Sequence, residues 1–154
     1  MDSNSPVRPA WYPNLLDAVT ALLAATDSPP LLTSWSIGRE LLKYQVRQGW
    51  TSRTIIHLST DLKTRFPTRK GLSPRNLTYM RTFAKAWPHE SFARGPLANL
   101  PWHHHLVLLQ KLDDLHLRIW YAQQSLENNW TRATLTTQIT THAHRRPRRG
   151  RPPQ

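Results

Sequence analysis

The chain has 154 residues, enough for one compact domain with its own hydrophobic core. It contains no cysteine, which excludes disulfides and thiolate metal sites, and no apolar run of about 18 residues, which excludes a membrane-spanning helix. The 21 Lys and Arg residues against 9 Asp and Glu residues give a net charge of +12, which favours a polyanionic partner.

The positive charge is concentrated in two segments. Residues 39–85 carry eleven Lys or Arg residues and two acids, and residues 145–151 carry five Arg residues and no acid. Residues 1–38 sum to −2, and residues 86–144 sum to zero. A clustered basic region of this kind is typical of proteins that bind nucleic acid.

The first third of the chain predicts an arm and three helices. Residues 1–13 carry three prolines and no secretory signal pattern, so we expect a flexible arm on a cytoplasmic protein. Apolar residues at helical spacing predict helices from Asn14 to a break at 26–30, over about 31–47 and over about 53–65. The residues expected on their apolar faces are Leu15, Leu16, Val19, Leu22, Leu23, Leu32, Trp35, Leu41, Leu42, Tyr44, Ile55, Ile56, Leu58, Leu62 and Phe66.

The next segment predicts the helix around which the site is organised. Gly71 can adopt the positive φ of a turn, Ser73 is a good N-cap, and Pro74 suits the first helical position. The helix should end near Trp87, because Pro88 follows. Helical spacing predicts a buried face of Leu77, Met80, Phe83, Ala84 and Trp87. The opposite face, rich in donors and without an acid, consists of Arg75, Thr78, Tyr79, Thr82 and Lys85.

Helices 53–65 and 74–87, joined by a turn, predict a helix-turn-helix-like pair, although the connection exceeds the roughly 3–4 residues usual in that motif. Arg69 and Lys70 in the connection can bind phosphate beside the helix N-terminus, which itself attracts anions. The alternative for the turn and for the donor-rich face is a solvated surface.

The rest of the chain predicts three more helices after a loop at Gly95 and Pro96. One starts at about Pro101, a second is capped by Asp113 or Asp114, and the last starts near Thr131. Their apolar residues are Leu106, Val107, Leu109, Leu112, Leu115, Leu117, Ile119, Trp120, Tyr121, Leu126, Leu135 and Ile139. Because no stretch alternates as a strand would, we predict an all-α, compact multi-helix domain over residues 14–142.

Two motifs suggest metal chemistry, and we favour neither. His103, His104 and His105 point about 100° apart on a helix, so at most two can share one ion. No acid or cysteine lies near them in sequence, so a helix cap or polar network is the favoured interpretation. The triplet 61–63, Asp-Leu-Lys, has the form used by Mg²⁺-dependent nucleases, but it falls in a helical pattern rather than on a strand. We predict no catalytic residue, metal or cofactor.

Residues 143–154 predict a disordered basic tail, because prolines forbid a helix and the arginines repel each other. Arg149-Gly150-Arg151-Pro152, preceded by Arg148, looks like an AT-hook, in which Arg-Gly-Arg lies in a narrow A·T minor groove. General attraction of Arg148, Arg149 and Arg151 to phosphate is the alternative.

Several ordered segments together resemble one family over about residues 14–140. They are Trp35–Leu41, Gly49-Trp50, Leu58–Lys63, Phe66-Pro67, Gly71–Ala84, Leu100–His104, Trp120–Ala122 and Trp130–Arg132. The pattern resembles the N-terminal domain of the YhcG-like proteins, the DUF1016 family. The resemblance implies a helical N-terminal domain that precedes a PD-(D/E)XK nuclease domain in full-length members. It also implies a bacterial or archaeal role in DNA processing or in defence against foreign DNA.

The chain departs from that family pattern in one large way. It stops near the expected domain junction, with the Arg/Pro tail in place of the nuclease half, so nuclease activity is not carried over. Smaller departures are His103 and His105, where the pattern suggests Gly and Asn, and Asn129, where it suggests Gly before Trp130.

The favoured hypothesis is a non-enzymatic DNA-binding module in which residues 53–87 contact duplex DNA and the tail adds contacts. The predicted groove contacts are Arg75, Asn76, Tyr79 and Thr82, and the predicted phosphate contacts are Arg69, Lys70, Arg81 and Lys85, with Arg81 bordering the buried side. The alternatives are a docking or dimerisation domain, as a homo-oligomer or with subunits of a nuclease or restriction assembly, and the remnant of a truncated nuclease gene. No membrane contact is predicted.

Overall fold

The structure, a computed structural model, describes residues 9–25, 29–48, 52–89 and 96–145. In these ranges the chain forms seven α-helices and two short 3-10 helices and no β-strand, which confirms the all-α prediction. No described helix has both the length and the apolar character needed to cross a membrane. The chain divides into two compact units, Met1–Arg94 and Gly95–Gln154. Residues 1–8 of the predicted arm and 146–154 of the predicted tail lie outside the described residues.

Within its described residues the first unit contains four helices that begin within two residues of the predicted positions. They are α1 (Tyr12–Ala24), α2 (Pro30–Gln48), α3 (Ser52–Arg65) and α4 (Pro74–Ala86). Helix α1 starts earlier than expected, and its first residue, Tyr12, is buried and donates its hydroxyl to the Asp61 carboxylate over 2.6 Å.

Helix α4 forms where its local signals predict. Gly71 has a φ of 84°, which is the left-handed conformation that a side chain disfavours. The Ser73 hydroxyl accepts from the Asn76 N–H over 3.1 Å, and Pro74 occupies the first turn. The helix ends at Ala86, before Trp87 and Pro88. The prediction for the start of this helix is confirmed.

Close contact between α2 and α4 organises the core of the first unit. A Cβ atom placed on Gly38 of α2 would lie 2.0 Å from the Met80 carbonyl oxygen and 2.8 Å from the Ala84 Cβ of α4. The two backbones therefore approach each other closely only because residue 38 has no side chain. All five residues predicted for the buried face of α4 are buried: Leu77, Met80, Phe83, Ala84 and Trp87.

The structure corrects two predictions on α3. Ile56 was expected in the core, but its side chain is 53% exposed, while the adjacent Ile55 is buried. Phe66, just after the helix, is only half-buried. Conversely, Ile37 of α2 is fully buried, although it was not among the predicted core residues.

The second unit contains α5 (Trp102–Lys111), α6 (Leu115–Asn128) and α7 (Arg132–Thr140), flanked by 3-10 helices at Pro96–Asn99 and Ala143–Arg145. Its fully buried large side chains come one from each α-helix, and they are Leu108, Tyr121 and Leu135.

Side-chain caps set the starts of α6 and α7 in the second unit, whereas α5 begins after Pro101 without a side-chain cap. Asp114 accepts from the N–H groups of His116 and Leu117, and the Thr131 hydroxyl accepts from the N–H of Thr134, as predicted from the cap residues. Between α6 and α7, Asn129 adopts a left-handed φ of 51°. This conformation explains why Asn can stand where the family pattern suggests Gly, because Asn is among the few residues that tolerate it.

Candidate nucleic-acid interface

The connection from Phe66 to Ser73 presents two cations, and the structure gives them different environments. Arg69 donates from its guanidinium to the Leu23 carbonyl over 2.8 Å, near the C-terminal end of α1. Lys70 is exposed, and no hydrogen bond or ion pair among the described residues involves it. Arg69 therefore helps hold the connection in place, while Lys70 is available to a partner.

A buried hydrogen bond fixes the same connection to α3. The Ser59 hydroxyl donates to the Leu72 carbonyl over 2.6 Å, and the Leu72 side chain is 2% exposed. This buried hydrogen bond holds the segment just before α4 against α3. It therefore fixes the backbone from which the cations of this surface extend.

Arg75 and Tyr79 form a pair on the outer face of α4. The Arg75 guanidinium donates to the Tyr79 hydroxyl over 3.2 and 3.3 Å, and its carbon lies 5.6 Å from the ring centroid. Arg75 is exposed, so the contact is worth about 0.5–1 kcal/mol and restricts the side chain without removing its charge. Arg75 and Tyr79, two of the four predicted groove contacts, therefore lie side by side.

The polar residues Asn76, Thr78 and Thr82 are engaged by the backbone. The Asn76 side-chain amide donates to the Gly71 carbonyl over 2.8 Å and so closes the turn before α4. The hydroxyls of Thr78 and Thr82 donate to the carbonyls of the residues four positions earlier. Asn76 and Thr82, predicted to face a DNA groove, thus already have local structural partners.

Arg81 and Lys85 lie about one helical turn apart on α4. Arg81 is half-buried, in agreement with its expected border position, and Lys85 is exposed. The ion pairs of the described residues include Arg65 with Asp17 and Lys43 with Glu40, and none involves Lys70, Arg75 or Lys85.

An open groove of about 400 Å³ lies on the surface where α3 and α4 pack together, and we call it the α3–α4 groove. It is lined by Gln45, Ile55, Ile56, Pro74, Arg75, Thr78 and Arg81. The α3 residues Arg53, Ile56, Thr60 and Lys63 are all exposed and follow helical spacing along one stripe. Arg53 and Lys63 were not among the site residues predicted from the sequence. Their spacing from Thr60 was the available signal, but Ile56 was taken for a core residue.

The residues of the two metal motifs have structural roles. The Asp-Leu-Lys triplet lies within α3 and is therefore helical, as expected. Its Asp61 carboxylate accepts a hydrogen bond from the Tyr12 hydroxyl. His104 is buried, and its Nε2 lies 2.8 Å from the Trp130 carbonyl oxygen, whereas His103 is exposed. In the ranges that the structure covers, no three His, Asp or Glu side chains form a set that could hold a metal ion.

The predicted tail contacts Arg148, Arg149 and Arg151 lie outside the described residues. The structure therefore brings together Lys70, Arg75, Tyr79, Arg81 and Lys85 on the surface formed by the connection and α4.

Comparison with known proteins gives one match. No curated protein and no solved structure matches the chain significantly. The family model described as the DUF1016 N-terminal domain matches residues 15–146, which is most of the chain. The match agrees with the resemblance read from the sequence motifs and with their span. The chain belongs to the DUF1016 N-terminal domain family.

Proposed function

We propose that this chain is a non-enzymatic DNA-binding module that docks on duplex DNA through α4 and the connection before it. The observation that carries the proposal is the set of exposed cations Lys70, Arg75 and Lys85, none of which is paired with a carboxylate in the described residues. Unpaired surface cations on a chain of net charge +12 create the positive field that attracts a polyanion.

The geometry of α4 favours contacts with the phosphate backbone over readout of base edges. Lys70 and Arg75 flank the N-terminal end of α4, where the helix dipole adds positive potential. Asn76 and Thr82 would have to give up, or share, their internal hydrogen bonds to read bases. Phosphate contacts fix position on DNA but carry no sequence information. We therefore propose binding with weak sequence preference.

Arg75 and Tyr79 are the pair best suited to enter a groove. A guanidinium held against a tyrosine ring keeps its remaining donors for phosphate or base acceptors and has less conformational freedom to lose on binding. The tail arginines Arg148, Arg149 and Arg151 would add phosphate or minor-groove contacts.

The test is the affinity for a mixed-sequence duplex, measured by fluorescence anisotropy over a range of salt concentrations. Three phosphate contacts predict a log–log salt slope of about −2.7 from α4 and its connection, steeper if the tail contributes. The variant Lys70→Glu, Arg75→Glu, Lys85→Glu should weaken binding by about 100-fold or more at low salt, because three attractive contacts become repulsive.

A matched control separates a local effect from the change in net charge. It reverses three other exposed cations: Arg39→Glu, Lys111→Glu and Arg132→Glu. Both variants have a net charge lower by six. If the control weakens DNA binding as much as the first variant, the attraction is general and the α4 surface is not the site. Unchanged binding by the first variant would also contradict the proposal.

A further inference from the structure

Ile56 on α3 lies where a folded domain normally places a polar residue. It is 53% exposed, and it is the one exposed large hydrophobic residue in the described part of the chain. A single exposed apolar side chain needs no explanation by itself. This one, however, lines the α3–α4 groove together with the half-buried Pro74 and the buried Ile55, so the lining of the groove is partly aliphatic.

Cations border this aliphatic surface on both helices. Arg53 precedes Ile56 by about one turn on the same exposed stripe of α3, and Lys63 follows two turns later. On the other side, Arg75 and Arg81 of α4 line the groove, and the lining residues within the described ranges include no Asp or Glu. An apolar groove with positive borders is complementary to an apolar surface with negative borders.

We propose that the α3–α4 groove binds an acidic amphipathic helix of a partner protein. Aliphatic side chains of that helix would pack on Ile56 and Pro74, and carboxylates on its flanks would pair with Arg53 and Arg75. This binding shares Arg75 with the proposed duplex contact, but it also uses Ile56 and Arg53, whereas the duplex contact uses Lys70 and Lys85.

The lining of the groove favours a peptide over other occupants. Single-stranded nucleic acid is usually held by bases stacked on aromatic rings, and none of the described residues that line the groove is aromatic. A second copy of this chain is disfavoured as the occupant, because each copy carries a net charge of +12. An acidic amphipathic helix would provide apolar side chains for the aliphatic part of the groove and carboxylates for its positively charged borders.

The test uses a synthetic helix of about 18 residues, with leucines along one face and glutamates on both flanks, binding to the full chain. A second peptide replaces every glutamate by glutamine. Fluorescence anisotropy should show binding of the acidic peptide and much weaker binding of the neutral one. Ile56→Gln should weaken the acidic peptide by about fivefold to tenfold, since about half of an isoleucine surface remains to be buried.

Matched variants make the result specific. Ile56→Leu should bind as the unmodified chain does, because the aliphatic contact is kept. The double variant Arg53→Gln, Arg75→Gln should lose about tenfold or more, and Arg39→Gln, whose guanidinium lies over the Trp35 ring, should change affinity by less than about twofold.

Several outcomes would overturn the proposal. They are failure of the acidic peptide to bind at about 100 μM, equal binding of the neutral peptide, and unchanged affinity in Ile56→Gln. A single-stranded oligonucleotide that loses affinity in Ile56→Gln while the peptide does not would reassign the groove to nucleic acid. Because Ile56 is not among the duplex contacts, Ile56→Gln should keep its affinity for duplex DNA, so failure here is distinguishable from failure of the proposed function.

Discussion

Replacing Gly38 by Ala should separate α2 and α4, the two helices whose close contact organises the core of the first unit. The added Cβ would lie 2.0 Å from the Met80 carbonyl oxygen, whereas ordinary contact begins at 3.4 Å, so α2 and α4 must move apart by 1.4 Å at their crossing. A gap of that size removes much of the dispersion energy around the crossing, and overpacking against backbone costs about 3 kcal/mol. Alanine is a better helix former than glycine by about 1 kcal/mol, which leaves a net loss of about 2 kcal/mol.

The measurement is thermal and urea unfolding followed by circular dichroism. A loss of about 2 kcal/mol in a unit of this size corresponds to a drop of about 10 °C in Tm. The neighbouring substitution Arg39→Ala, at an exposed position on the same helix, is the control and should change stability by no more than about 1 kcal/mol, the value of the exposed contact between Arg39 and the Trp35 ring. Equal or greater stability of Gly38→Ala would refute the close crossing of α2 and α4.

Three further substitutions test separate features, each by urea unfolding. Ser73→Ala removes the acceptor for the Asn76 N–H and should cost about 1 kcal/mol, and Ser73→Asp should restore most of it. Phe83→Ala, at a fully buried position, should cost about 3–5 kcal/mol, and a loss below about 1 kcal/mol would contradict its burial. At Asn129, Gly should be tolerated, whereas Val should destabilise by about 1–2 kcal/mol because its φ is positive; equal stability of the two would argue against the left-handed cap.

The helix boundaries could be predicted because their causes are local. Ser73 and Pro74 start α4, and Asp114 and Thr131 cap their helices through hydrogen bonds that span two or three residues. Helical periodicity predicted the burial of one apolar face, which consists of Leu77, Met80, Phe83, Ala84 and Trp87. These features need no knowledge of the rest of the chain.

The candidate site was only partly predictable for the opposite reason. Lys70, Arg75 and Lys85 were identified from charge and helical phase, and they are exposed. Arg69 donates a hydrogen bond to the Leu23 carbonyl, and Asn76 donates one to the Gly71 carbonyl. Both bonds depend on where these carbonyl groups lie in the folded chain. No sequence pattern records those positions.

Local chemistry in the sequence therefore determined where helices begin and end, which face of α4 is apolar and where positive charge accumulates. Tertiary packing alone decided which of the adjacent residues Ile55 and Ile56 is buried, and why residue 38 must be glycine. The physical reason is that helical spacing fixes the angle of a side chain about its own axis, whereas burial depends on where the neighbouring helices lie. The α3–α4 groove, with its exposed isoleucine between cations, exists only once those helices are in contact.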